Sequence, residues 1–249
     1  MNYGCQNLTV VISGGTSGIG LATAKTMLED GARVYILGRN QERGSHALAQ
    51  LEQQTGIRAI YLPCDVTDAA ACRQAITQIE GNIDILIHSA GVYLEERLEQ
   101  MTEESYSKIL DTNVKGVMFL TQAALPKLYG GGSIVIISSD AGISGNYGCP
   151  LYCASKGALV SLTKALALDL APHIRVNCIC PADVQTPLLE RQLEANGNSY
   201  TVEEMAADYP LLRIGLGEEI AHVICSVAAP VNSFMTGSII PVDGGLTAK

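Results

Sequence analysis

The sequence predicts an α/β fold with a doubly wound parallel sheet, and three observations carry that prediction. Short β-branched runs alternate with longer helical patterns along the whole chain. The runs are apolar throughout instead of alternating in and out, which suits strands covered on both faces of a parallel sheet. Regular strand–helix–strand succession then places helices on both sides of that sheet.

The first strand is read at Leu8–Ser13, and a glycine-rich turn leads from it into a helix over 18–30. Arg33–Leu37 is the second strand, followed by a helix over 40–55. Asn40 is an N-cap type, and Gly31 and Gly56 are helix-stopping types. Arg58–Leu62 is the third strand, and Asp68 opens a helix over 68–80. Ile83–His88, a single long helix over 102–128, Ser133–Ser138, a helix over 151–171 and Ile174–Ile179 come next. A helix over 217–229 and the run Ile239–Val242 complete a seven-stranded sheet. One interval, 187–213, breaks this rhythm, mixing leucines with Glu190, Glu194, Asn196, Gly197 and Asn198. Its Thr201-x-x-Glu204 capping-box pattern predicts a short helix. An insertion beyond a strand's carboxyl end lies where such sheets bind ligands, so 187–213 is read as a lid. No repeat or linker divides the 249 residues, and residues 1–249 are expected to form one domain.

Composition narrows the function. Hydrophobic residues make up 47% and charged residues 16%, as suits a globular fold with a sizeable core. The net charge of −9 argues against binding a nucleic-acid backbone, which needs clustered positive charge. Eight cysteines contain no C-x-x-C pair, so buried reduced thiols are expected, not disulfides or a metal site. Cys178 and Cys180 share a strand face without a histidine pair to complete a zinc set. The N-terminal stretch lacks a basic region, and its apolar run is too short for a signal or a membrane span. A soluble, cytoplasmic protein is expected.

Four motifs carry chemistry. Directly after the first strand stands "SGGTSGIG", with Gly14, Gly18 and Gly20. Glycines permit a tight turn, and the following helix N-terminus offers free N–H groups to a pyrophosphate. The second strand ends in Gly38-Arg39, where an acidic residue would select NAD by bonding the ribose. A guanidinium there pairs with a 2′-phosphate, so NADP is favoured and NAD remains possible. The third strand ends "CDVTD", whose Asp65 is either an acceptor for an adenine amino group or a turn residue. Finally, "YCASK" puts Tyr152 and Lys156 on one helical face, with Ser139 standing 13 residues before Tyr152.

Taken together with "HSAG" (88–91), "DTNVKG" (111–116), "IRVNCICPADVQTP" (174–187) and "MTGSIIPVDGG" (235–245), these motifs make the chain resemble the short-chain dehydrogenase/reductase family over essentially its whole length. The resemblance implies a Rossmann fold and hydride transfer between a nicotinamide cofactor and a secondary alcohol or ketone. It implies that Tyr152 is the acid/base, Ser139 bonds the reacting oxygen, and Lys156 lowers the phenol pKa and holds the ribose. Asn113 would support a water linking Lys156 to solvent. The implied cofactor contacts are Gly14, Thr16, Ser17, Gly18, Ile19, Gly20, Arg39, Asp65, Val66, Ser89, Ala90, Gly91, Tyr152, Lys156, Pro181 and Thr186. The chain departs from the family pattern at His88-Ser89, at Ala182 after Pro181, and at Ser17, a position often basic in NADP-using relatives. His88 is read as a core or sheet histidine.

The substrate pocket is expected around Tyr93, Asp140–Tyr147, Val184 and the lid, and Asp140 with Asn146 hints at a polyol-like ligand. A 3-oxoacyl-carrier-protein reductase and a non-catalytic dinucleotide-binding sensor are the competing readings. The family pairs the helices at 102–128 and 151–171 across an interface, so a homotetramer is expected.

Overall fold

In the computed structural model, which describes residues 2–128, 130–195, 197 and 199–248, the chain alternates strands and helices as follows. β1 (Thr9–Ser13) leads into α1 (Gly18–Glu29), β2 (Arg33–Gly38) into α2 (Gln41–Thr55), and β3 (Ile60–Pro63) into α3 (Ala69–Thr77). β4 (Ile85–His88) is followed by α4 (Glu103–Leu110) and α5 (Gly116–Leu128), and β5 (Ser133–Ile137) by α6 (Pro150–Asp169). After β6 (Arg175–Pro181) come β7 (Val184–Gln185), α7 (Pro187–Ala195), α8 (Val202–Ala206), β8 (Gly215–Leu216), α9 (Gly217–Ala228) and β9 (Ile239–Val242).

Seven of these strands form one parallel sheet in the order β3-β2-β1-β4-β5-β6-β9, while β7 and β8 pair separately. Strand order reverses between β1 and β4, which opens a crevice at their carboxyl ends. Ser13 of β1 lies opposite His88 of β4 in the register, so the residues just beyond both face that crevice. Burial on both faces is visible within β1 itself. Val10 and Ile12 join one core layer with Met27, Leu28, Ile224 and Cys225, while Val11 joins the other with Tyr35, Leu120 and Leu159. Burying each such side chain contributes roughly 1.5–3 kcal/mol, so the double layer is the main stabilising feature.

Local signals set several helix ends. Asn40 accepts from the Arg43 amide at 2.8 Å, and Asp68 accepts from Ala70 at 2.7 Å. Gly56 ends α2 in the left-handed region at φ 71°. The capping box at Thr201 and Glu204 opens α8. Two expectations need correction. The third strand starts at Ile60, where its pairing with Tyr35 of β2 begins, and Arg58 lies outside it in an exposed ion pair with Glu52 at 2.7 Å. The single helix expected over 102–128 is interrupted by a π-helical turn at Asp111–Lys115, which separates α4 from α5. The extra residue in that turn aims Asn113 at the backbone after β4, and such turns recur at functional sites.

All eight cysteines are free, and all but the partly exposed Cys153 are buried. Among the described residues no helix is long and apolar enough to cross a membrane, and no group of three metal-ligating side chains occurs.

Candidate active site

A cavity of about 960 Å³ opens at the crevice and gathers most of the sequence-derived residues along its length. Its near end is the turn after β1. Gly14 sits at φ 69°, and a Cβ there would lie 2.7 Å from the backbone of Ala90. Gly20 is as tightly held: a Cβ would stand 2.4 Å from the Gly14 carbonyl oxygen, so this glycine lets α1 lie against its own entry turn. Ser17 is the N-cap of α1 but makes no capping hydrogen bond with its side chain, and it lines the cavity with Thr16, Gly18 and Ile19. A helix N-terminus approached through glycine is what a pyrophosphate requires, so these residues fit a dinucleotide.

At the second-strand end, Arg39 and Arg43 are exposed and line the cavity. A Cβ at Gly38 would lie 2.9 Å from the Thr16 methyl, so the position that would carry an NAD-selecting carboxylate has little room for a side chain. Asp65 lines the cavity with Val66, and one of its oxygens caps a turn by accepting from the Thr67 amide (3.0 Å) and hydroxyl (2.8 Å). Ser89, Ala90 and Gly91 form the opposite wall beyond β4, where the Ser89 amide donates to Ser13 O at 3.1 Å. Pro181 and Thr186 line the cavity too, and the Thr186 side chain comes within 3.3 Å of where a Gly18 Cβ would stand.

The far end holds the titratable set. Tyr152, Lys156 and Ser139 converge there, brought by the first turns of α6 and by the segment after β5. The Tyr152 ring meets Tyr93 edge-on with centroids 4.8 Å apart, and Lys156 Nζ lies 5.6 Å from the Tyr152 centroid. The Lys156 ammonium donates to Ile137 O at 2.9 Å. Burial pushes the Tyr152 phenol well above its usual value; a Ser139 hydrogen bond opposes this, and the charges of Asp140, Cys149 and Asp183 add to it. Burial also draws Lys156 down to about 8. Burial, which raises the phenol, acts against the lowering expected from Lys156. Desolvation acts on both groups.

Two sequence-derived residues lie behind the cavity wall. Gly20 is packed under the turn, and Asn113 is fully buried. Asn113 accepts from the Val92 amide at 2.8 Å and donates to Val92 O at 3.0 Å and to Ser155 Oγ at 3.1 Å, bracing the segment that carries Tyr93. Ser138, the neighbouring hydroxyl, bonds Lys156 O at 2.8 Å and anchors the helix. His88 is buried against Thr121 Oγ1 at 2.8 Å, and burial lowers it to about 3, so it stays neutral in the core.

Asp140 and Asn146, read as ligands for substrate hydroxyls, line the cavity and are bonded to each other at 3.2 Å, and Asp140 accepts from Ser139 at 2.6 Å. Several lining residues escaped the sequence reading, Arg43, Glu95 and Asp183 among them. Arg43 stands four positions after Arg39, which is a usable signal. Asp183 accepts from the Tyr209 hydroxyl at 2.6 Å, and Tyr200 from the 187–213 segment donates to Glu95 at 3.0 Å. Sequence separations of 26 and 105 residues hide such contacts.

Comparison with known proteins places the chain in a family. Residues 14–247 match the family described as enoyl-(acyl carrier protein) reductase. An uncharacterized oxidoreductase of Thermotoga maritima is 36% identical over 100% of both chains. The 3-oxoacyl-[acyl-carrier-protein] reductase of the same organism is 34% identical over 95% of this chain and 96% of its own. Among solved structures, L-sorbose reductase from Gluconobacter frateurii, complexed with NADPH and L-sorbose, superposes with a TM-score of 0.93 at 26% identity, over 100% of both chains.

Proposed function

Because the chain belongs to the short-chain dehydrogenase/reductase family and is thus an NAD(P)-dependent oxidoreductase, we propose that it interconverts a secondary alcohol and a ketone, favouring NADP(H), with Tyr152 as the proton-transfer group. One observation carries this reading: Ser139, Tyr152 and Lys156 converge at one end of a cavity whose other end is a glycine turn and a helix N-terminus. When bound there, the nicotinamide ring accepts or supplies the hydride. The Tyr152 phenolate takes the proton of an alcohol, or the phenol gives one to a ketone oxygen. Lys156 spends one of its donors on Ile137 O and has others for the ribose. Ser139 positions the reacting oxygen, and Asn113 holds the Val92 backbone beside the path by which Lys156 exchanges protons with solvent. The segment 187–213 acts as the lid, its Tyr200–Glu95 bond closing over the pocket.

A polyol-like substrate suits the polar lining supplied by Asp183, Glu95, Gln192 and Tyr200, and the sorbose-binding structural relative supports the same class. The second reading, a 3-oxoacyl-carrier-protein reductase, rests on the 34% identical relative. Against it stands the net charge of −9, which disfavours docking an acidic carrier protein. A panel of secondary alcohols, sugars and 3-oxoacyl thioesters, run with both cofactors and followed by reduced-nicotinamide absorbance, tests the assignment. Turnover of the hydroxylated compounds is expected. Cofactor binding without turnover of any panel member would instead identify a sensor.

The free thiols match a reducing compartment, and we place the protein in the cytoplasm. Exposed apolar side chains on α5 (Met118, 51%; Phe119, 37%) and α6 (Leu168, 81%), and Val231 (81%) and Phe234 (104%) before β9, favour a homotetramer. Light scattering at micromolar concentration should return four times the chain mass, and a monomer would refute this.

A further inference from the structure

The active-site wall carries two thiols that proton transfer does not use. Cys149 lines the cavity and is buried, while Cys153, one turn further along α6, is partly exposed. Their sulfurs lie 3.9 Å apart. One backbone unit gathers both: the Asn146 amide donates to Cys153 Sγ at 3.4 Å, and the Cys149 thiol donates to Asn146 O at 3.7 Å. Two residues four apart inside a helix hold their Cβ atoms about 5–6 Å apart, beyond the about 3.5–4.5 Å that a disulfide needs. Cys149 is free of that limit because it is the N-cap of α6, with φ −142° and ψ 49°, and it follows Gly148 at φ 71°. The sulfurs must close from 3.9 Å to about 2.05 Å, and a residue outside the helix can supply that motion.

We propose that Cys149 and Cys153 form a redox site that closes to a disulfide under hydrogen peroxide and so takes Tyr152 out of its working position. The proposal adds regulation to the active site assigned above and rests on that reading for its effect on turnover. Peroxide oxidises the partly exposed Cys153 sulfur to a sulfenic acid and releases one water. Burial pushes the Cys149 thiol up to about 12, so it stays protonated and is spared that first oxidation. The Cys149 sulfur then attacks the Cys153 sulfur. The S–S bond forms as the S–O bond breaks, and the departing hydroxide takes the Cys149 proton to leave as a second water. The two thiols have together lost two electrons, which the peroxide has gained, and an added dithiol returns them. Tyr152 stands between the two cysteines on the first turn of α6. Its edge-on neighbour Tyr93 also bonds Cys149, so the turn cannot tighten without shifting both rings.

The test reads the thiols and the turnover separately. Trypsin cuts after Lys127 and Lys156, which leaves Cys149 and Cys153, and no other cysteine, in one peptide. Wild-type enzyme treated with hydrogen peroxide and then alkylated should yield that peptide unalkylated and lighter by two hydrogens. Its turnover should fall by about 10–100-fold, as expected for a displaced catalytic group, and return with dithiothreitol. Hydrogen exchange across the first turn of α6 should rise in the oxidised form. Cys153→Ser should keep the basal turnover and resist peroxide. Cys149→Ser, which retains a good N-cap, should give no linked peptide and hold a Cys153 sulfenic acid that dimedone traps. Both cysteines alkylated after peroxide, a linked peptide in an enzyme with full turnover, or a Cys153→Ser variant as peroxide-sensitive as wild type overturns the proposal. A linked peptide and a loosened α6 turn in a protein that turns over no panel compound would uphold the thiol site and overturn the alcohol/ketone reading instead.

Discussion

Tyr152→Phe should lose about 10²–10⁴-fold in turnover while keeping its affinity for NADPH, the range typical of removing a positioned acid/base. The substitution deletes one hydroxyl and leaves the ring. The edge-on contact with Tyr93 at 4.8 Å and the Lys156 cation 5.6 Å from the ring survive in phenylalanine, so the cavity keeps its walls. The pH dependence sharpens the test. Burial holds the Tyr152 phenol above its ordinary value, so the phenolate needed for alcohol oxidation is scarce at neutral pH and grows as pH rises. The phenol needed for ketone reduction is fully present at neutral pH. Wild-type oxidation should therefore climb through the alkaline range while reduction declines there, helped down by Lys156 as it loses its ammonium above about 8. Initial rates in both directions over pH 6–10 check this. Residual activity in Tyr152→Phe should lack the rising oxidation limb, and a variant with unaltered turnover would remove Tyr152 from the proton-transfer role.

What the sequence reveals of this site depends on how far each contact reaches along the chain. The Tyr152–Lys156 pair is legible because four residues of helix place both side chains on one face. The turn at Gly14–Gly20 is legible because glycine is needed wherever backbone comes this close, as the 2.4 Å approach at Gly20 shows. Val10, Val11 and Ile12 announce a strand buried on both faces because each layer needs its own apolar partner. The π-helical turn at Asp111–Lys115 stays hidden: the 3.6-residue pattern runs on through it, and the bond that rewards the extra residue goes to Val92, 21 positions away. Asp140 is a subtler case. Its place beside Ser139 is plain in the sequence, but whether it faces substrate or serine depends on Asn146 and on the turn that brings them together. Burial at the far end of the cavity is invisible in the same way, and it raises the Tyr152 phenol.

Arg39→Leu should raise the KM for NADPH by about 10–100-fold and leave that for NADH within about twofold. A charge-assisted hydrogen bond to a phosphate is worth roughly 1.5–3 kcal/mol, and each 1.4 kcal/mol is tenfold. Arg39 and Arg43 are both exposed cavity residues, and among the described residues neither belongs to a salt bridge, so no internal carboxylate competes for them. Gly38 works in the same direction: a Cβ 2.9 Å from the Thr16 methyl leaves an NAD-selecting aspartate no easy place. Ser17 pulls the other way, since it contributes no cation to the phosphate, and this concentrates the discrimination on the two arginines. Arg43→Leu should therefore have a smaller effect of the same sign, and the double variant should use both cofactors alike. Because both guanidiniums are exposed, the wild-type preference should shrink as ionic strength rises from 0.05 to 0.5 M, whereas a preference set by buried contacts would not. Steady-state KM values for the two reduced cofactors at each ionic strength decide it: equal changes for NADPH and NADH in Arg39→Leu would show that no 2′-phosphate is held there.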